Sequence, residues 1–582
     1  MDGLAPGQGK GQGQDHAAQT NRSGLIGAAP WLTITLFMLP VLAGLAGTLL
    51  PAFGMLPAVG GNEWSLAPWR TLFEQPGVAT SIRLSVQTGL AATLLSLAIA
   101  LSFCALMSHR PLFARLSAWV SPMLAAPHVA VAVGFAFMAA PSGWLVRLVS
   151  PWLTGWDRPP VDLVTVRDPE GLSMIVGLLL KEVPYLILMT VAALNQVPYR
   201  QLRLQTAALG YRGATGWLKV VLPLLYPQLR LPIFAVLAFS VSTVEVGLIL
   251  APGNPPPLAV LAARWFADYD LARYFPAAAA AVLQLLIVLL LVAAWFGAER
   301  VAAHWGTRWC ERGRRGGAAE ALAPAGTGLG VITVALGVGS LLAMLLWSVA
   351  QTWRYPGVLP DRYSLSTWAT HAPRLVDTVA NTLSLALCTA TAALVLAIAC
   401  LESESRRLHT PTRRALWLAY APLLVPQIAF LYGFQVSLVS LGLDGRWIAV
   451  AWAHFVFVLP YVFLSLADPW RALDGRYART AAALGASPWR VLLRVRLPLL
   501  LRPTLVAFAI GFAVSVSLYL PTLFAGAGRM ATLTTEAVTL SSGADRRILG
   551  VFTFLQALFP LVVYMAAIAI PGLLFRHRKG ML

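Results

Sequence analysis

Charged residues are scarce in this chain: Asp, Glu, Lys and Arg together make up 12% of 582 residues, about half of the ~25% typical of soluble domains. That shortage excludes a string of ordinary soluble domains. The four cysteines, Cys104, Cys310, Cys388 and Cys400, have no paired spacing, which excludes a disulfide framework and a zinc site. No G-x-x-x-x-G-K-[ST] stretch occurs, since Gly9-Lys10 fails in spacing and in the residue that follows. Nothing in the chain can therefore hydrolyse ATP through a phosphate loop. No His/Asp/Glu/Cys cluster suggests a metal, and no grouping of polar residues suggests a catalytic centre. The expectation is a protein with no catalytic residue, no metal and no cofactor of its own.

What is abundant is apolar. Hydrophobic residues reach 58% and the mean hydropathy is +0.71, the composition of a polytopic membrane protein. In a bilayer each span of roughly 20 apolar residues satisfies its own backbone hydrogen bonds as a helix. The expected fold is therefore all-α. The net charge of +19 is spread over loops rather than gathered in one basic, aromatic-interleaved patch, which argues against nucleic acid.

Apolar runs between breakers and charges predict twelve spans: 29–51, 80–107, 118–140, 172–194, 228–250 and 276–297, then 328–350, 378–401, 415–439, 447–467, 502–523 and 551–575. Residues 1–27 read as a disordered tail, 28–297 as a first transmembrane domain, 298–327 as a basic Gly/Ala-rich linker, 328–576 as a second transmembrane domain and 577–582 as a short tail. With both termini in the cytoplasm, Lys and Arg number about 26 inside against about 13 outside. Six spans per half is an even number, so the halves have one orientation and form a parallel repeat. Residues 80–88 align with 381–389 at an offset of 301. Later segments align at 275, which places about 26 extra first-half residues in the loop around 141–171.

One short stretch occurs twice. Gln205-Thr-Ala-Ala-Leu-Gly210 runs on to Leu222-Pro223, and Thr480-Ala-Ala-Ala-Leu-Gly485 runs on to Leu497-Pro498. Glycine-to-proline spacing is equal, and both copies lie in the same inter-span loop of their halves. In the second copy the alanines favour a short helix and Gly485 suits the left-handed residue that ends it. Ser487 then caps a second helix with Pro488 at its first position. In the first copy Arg212-Gly213 stands where Ser-Pro would be, so that helix lacks its best start and the second copy is expected to be the better formed.

These loops resemble the EAA loop of ABC importer permeases. Residues 28–576 resemble the fused permeases of the ferric-iron and thiamine group, in which two binding-protein-dependent transport domains share one polypeptide. Pro184-Tyr185, Pro460-Tyr461 and Ala486-Ser-Pro-Trp489 support the match, whereas Leu204 and Arg479 occupy the position of the motif's glutamate. The resemblance implies the type I importer permease fold, embedded in the bilayer of a bacterial cytoplasmic membrane. It implies coupling of two copies of a cytoplasmic ATPase through Ala207, Ala208, Gly210 and Pro223 and through Ala481, Ala482, Gly485, Ser487, Pro488 and Pro498. ATP is then used by that partner, and a small solute, a thiamine-like cation or ferric iron by preference with polyamines and small anions left open, arrives on an external solute-binding protein.

Charges at membrane depth usually face a cavity or a partner. Lys181 and Glu182 fall in the fourth span and Glu245 in the fifth, and all three are pathway candidates. Glu245 has no acidic counterpart in Ser515–Pro521. His128 and His454 read as hydrogen-bonded packing residues. An ion-coupled secondary transporter with two parallel six-helix halves is the alternative, although Ser108–Arg115 lacks the Gly-x-x-x-Asp-Arg signature of the major facilitator family.

Overall fold

The computed structural model describes residues 12–108, 110, 123–407, 422–543 and 545–575, with side chains from residue 27 onward. The expected tail 577–582 and parts of the expected spans 118–140 and 415–439 lie outside the described residues. The first half comprises α1 (Gln12–Ala52), α2 (Ala67–Glu74), α3 (Val78–Met107), α4 (His128–Ala139), α5 (Trp144–Val149), α6 (Leu172–Leu194), α7 (Tyr199–Ala208), α8 (Gly213–Gly216), α9 (Leu222–Ser242), α10 (Glu245–Leu250), α11 (Leu258–Phe266) and α12 (Tyr274–Glu311). The second half comprises α13 (Ala318–Val349), α14 (Ser366–Thr370), α15 (Ala372–Arg407), α16 (Ile428–Ser440), α17 (Trp447–Ala472), α18 (Gly475–Ala483), α19 (Pro488–Val491), α20 (Leu497–Leu499), α21 (Leu501–Ser517), α22 (Leu520–Ala525), α23 (Leu533–Leu540) and α24 (Arg546–Leu574). Two antiparallel hairpins, β1 (Met55–Leu56) with β2 (Gly61–Asn62) and β3 (Ala350–Thr352) with β4 (Arg362–Tyr363), follow the first helix of each half.

Among the described residues ten helices are long and apolar enough to cross a membrane, and one bent pair, Pro488–Leu499 with Leu501–Ser517, makes up to eleven. The expected span 415–439 is represented by the shorter Ile428–Ser440. Three boundaries differ from the sequence expectation. The fifth and eleventh spans end at Ser242 and Ser517, after which the chain bends and restarts as α10 and α22. The linker is largely helical, because α12 continues to Glu311 and α13 begins at Ala318. Helix also extends back to Gln12, into the segment expected to be unstructured, since each residue added to an existing helix gains a hydrogen bond without a new nucleus.

The first helix of each half packs on the other half: α1 lies along α16 and α15, and α13 lies along α3 and α4, with α24 of its own half beside it. Without a hydrophobic driving force between helices in lipid, close backbone approach decides such contacts. A Cβ at Gly433 of α16 would overlap the Gly44 carbonyl oxygen of α1, and a Cβ at Gly134 of α4 would overlap the Ser340 carbonyl oxygen of α13. The amide of Gly433 also donates to Thr48 Oγ1 at 3.1 Å. At the end of the bundle where β3 and β4 lie, the half-to-half contact is polar. Arg147 of α5 donates to the carbonyls of Arg354 (2.8 Å) and Gly357 (2.9 Å) and lies against the rings of Trp353 and Tyr355. α5 belongs to the long 140–171 segment, whose counterpart between Ser440 and Trp447 is a short turn.

Candidate coupling loops and translocation path

Both copies of the repeated stretch fold alike. In the first, Gly210 has φ 77°, its amide donates to the Ala207 carbonyl (2.9 Å), and the Tyr211 amide donates to the Thr206 carbonyl (3.0 Å). In the second, Gly485 has φ 81°, with the pairs Gly485 to Ala482 (2.9 Å) and Ala486 to Ala481 (3.0 Å). This paired closure satisfies the orphan carbonyls at a helix end and requires a left-handed residue. After the bend, α8 and α19 each run into a wide turn, Trp217–Val221 and Leu492–Arg496; the first continues directly into α9, the second into the short α20 and, past a bend of 80°, into α21.

The caps differ in origin. Ser487 Oγ accepts from the Arg490 amide at 3.4 Å, as the Ser-Pro signature predicts. The equivalent amide of the first loop, Thr215, donates instead to Glu320 Oε1 of α13 at 2.8 Å. The first helix thus has a cap despite Arg212-Gly213, supplied from beyond the linker. The linker holds this loop elsewhere too: the Arg212 amide donates to the Arg315 carbonyl (2.8 Å), and Lys219 Nζ donates to the carbonyls of Trp309 and Arg314 (both 2.9 Å). The second loop is tied within its own half, through Arg496 to Glu402 (2.6 Å) at the end of α15, where Arg406 also pairs with Glu402 (2.8 Å).

α13 leaves the first loop at Glu320 and ends at Val349, and α15 returns to bring Glu402 onto the second loop. Both loops therefore occupy one end of the bundle. There Ala207, Ala208, Gly210, Pro223, Ala482, Gly485, Ser487 and Pro488 are exposed, with Ala481 and Pro498 half-buried. Leu209, Leu484 and Trp489 are exposed beside them.

The charged candidates lie inside the bundle. Lys181 Nζ donates to the carbonyls of Met123 (3.0 Å), Leu124 (3.2 Å) and Ala126 (2.6 Å), closing a helix end that Pro127 interrupts. Glu182 Oε1 lies 3.5 Å from His128 Nε2. Glu245 is buried at the first residue of α10, just after the break at Thr243-Val244. The second-half break is splinted by His454, whose ring nitrogens meet Ser515 Oγ (2.8 Å) and Thr522 Oγ1 (2.9 Å) on its two sides. Sequence reading isolated His454 but not its bridging position, which depends on two other helices. Among the described residues no group of three His, Cys, Asp or Glu could hold a metal ion.

Residues 393–577 match the family described as binding-protein-dependent transport system inner membrane component. Over 506 residues the chain is 30% identical to the inner membrane ABC transporter permease protein YnjC of Escherichia coli K12, covering 86% of this chain and 89% of that protein. Over 215 residues it is 27% identical to the putative 2-aminoethylphosphonate transport system permease protein PhnV of Salmonella typhimurium, covering 36% of this chain and 76% of that one. A multi-pass helical chain that is 30% identical to an ABC transporter permease over 86% of its length, and that carries this family match, belongs to the ABC transporter permeases of the binding-protein-dependent transport family.

Proposed function

We propose that the chain carries two permease domains of an ABC importer, 28–297 and 328–576, fused through 298–327. The observation that carries this reading is the pair of equivalent bends at Gly210 and Gly485 on one end of the bundle, each followed by a capped helix. Each bend offers an exposed, rigid knob to one copy of a cytoplasmic ATPase, and closure of the two copies rocks the halves about the path between them. ATP is bound and hydrolysed by that partner, and a solute-binding protein delivers the solute at the opposite end. The excess of basic residues on the loop end supports a cytoplasmic location for it and for both termini.

The resemblance to the ferric-iron and thiamine group favours a small cation, and buried Glu245 is the acidic group that supports it, with Lys181 and Glu182 serving the walls of the same path. The test is copurification of the tagged chain with a Walker-motif ATPase, followed by uptake into vesicles. Uptake that requires ATP supports the reading. Uptake that continues without ATP under an ion gradient replaces it with secondary transport.

A further inference from the structure

At the end of the bundle away from the two loops lies a cavity of about 300 Å³ lined by both halves, with Arg167, Leu248 and Arg264 on one side and Tyr519, Thr539 and Ser541 on the other. Arg264 and Thr539 are 275 residues apart, the offset that relates the two repeated loops, and α11 and α23 begin at equivalent residues, Leu258 and Leu533. Each of these helices has its first amide capped by a hydroxyl from its own half, Ser85 at 2.9 Å and Thr382 at 2.9 Å. Equivalent positions meet only near the axis that relates the halves. The cavity therefore sits near that axis, between the halves.

Its charge is one-sided. Arg167 has φ 60°, a left-handed conformation held by its amide's bond to the Leu250 carbonyl at 3.1 Å. From there its guanidinium donates to the carbonyls of Ile249 (3.2 Å), Leu248 (3.3 Å) and, across the cavity, Ser541 (3.2 Å). Arg264 donates to the Gly253 carbonyl at 2.7 Å. Carbonyls orient these cations without neutralising them, and among the described residues neither forms an ion pair. The nearby acids are engaged elsewhere: Asp168 with Leu172 and Ser173, and Glu170 with Arg83. Burial, and then the neighbouring Arg167 charge, hold the Arg264 guanidinium below its ordinary basicity, so the two cations lie within electrostatic reach of each other. Both side chains are exposed to the cavity and have no counter-ion among the described residues, so an anion entering it gains two charge-assisted partners. Their planar donor forks match the oxygens of phosphonate and phosphate.

We propose that this cavity is an anion-binding vestibule in which Arg167 and Arg264 receive the phosphonate or phosphate group of a small solute. This rests on the permease reading and replaces its cationic solute with an anionic one. The Salmonella relative named for 2-aminoethylphosphonate transport supports that choice and supplies a probe.

The full chain, purified in lipid nanodiscs, is titrated by calorimetry with 2-aminoethylphosphonate, inorganic phosphate and thiamine. The expected result is binding of 2-aminoethylphosphonate in preference to thiamine. Arg264→Gln should weaken it by roughly tenfold or more, and Arg264→Lys should recover part of the loss. Phosphate binding as tightly as the phosphonate would show recognition of the oxyanion group itself. Binding of thiamine without either anion, no binding of any probe, or unchanged anion binding by a normally eluting Arg264→Gln protein would overturn the proposal. The permease reading fails separately: if uptake proceeds without ATP while anion binding still depends on Arg264, the site stands and the energy source changes.

Discussion

The Glu320 carboxylate of α13 caps the Thr215 amide of α8 at 2.8 Å, and the residue 275 positions on, Arg490, has its amide capped by Ser487. The same backbone donor is satisfied in both loops, once across the junction of the halves and once locally. A cap of this kind contributes about 1 kcal/mol to its helix. Because Glu320 stands on the first helix of the second half, this hydrogen bond ties the first loop to α13. The second loop is tied instead to α15, through Arg496 and Glu402.

Glu320→Ala is expected to loosen the first loop while leaving the second intact. Loss of about 1 kcal/mol corresponds to roughly fivefold faster amide exchange over 213–217. Hydrogen exchange with mass spectrometry checks this, and Ser487→Ala should produce the mirror result over 488–492. Unchanged exchange in both variants would show that the caps do not hold the bends.

Gly485→Val tests the bend itself. No atom lies within 4 Å of a Cβ added there, so the substitution acts through the φ of 81° alone, at a cost of about 1–2 kcal/mol. Uptake should fall while the amount of protein in the membrane stays unchanged, and Gly485→Asn, which tolerates this conformation, should retain most activity. Full uptake by the valine variant would reduce the loop to a connector.

Gly433→Val should strike assembly rather than coupling. Its side chain would collide with the backbone of α1 at Gly44 and Gly47, at a penalty of about 3 kcal/mol, the upper end for overpacking. Thermal melting of the purified protein should show a lower Tm, and Gly134→Val should do the same through α13. A variant as stable as the parent would mean that these helices part more easily than their contacts imply.

Acid should release the Arg167 loop. Burial pushes the Asp168 carboxyl up, but hydrogen bonds from the Ser173 hydroxyl and from the Ser173 and Leu172 amides outweigh it, leaving the group below its ordinary value. A depressed carboxylate stabilises the fold above its unfolded value, about 3.9, and loses that contribution as pH falls through the folded value. The parent should therefore be more stable than Asp168→Asn at neutral pH, and the difference should shrink below about pH 4. A difference independent of pH would assign the effect to shape rather than charge.

Local features were legible in the sequence. Ala-Ala-Leu-Gly, Ser487-Pro488 and the equal glycine-to-proline spacing specify a helix, a left-handed stop and a cap within a few residues of one another, and the structure has all three in place. The breaks at Thr243-Val244 and Leu518-Tyr519 were not legible, because apolar composition continues through them and the second break depends on His454 from another helix. Nor was the cap at Thr215, whose acceptor lies 105 residues away.

By itself, then, the sequence determined that this is a helical membrane protein in which one short stretch, repeated, makes two bent loops, because hydropathy, repeat spacing and turn chemistry act over short distances along the chain. Tertiary structure alone decided that α1 and α13 exchange halves, that Glu320 completes the first loop, and that Arg167 and Arg264 face one cavity. The reason is physical: close backbone approach between glycines and charges converging on an axis depend on how distant segments pack. No local pattern of residues encodes that packing.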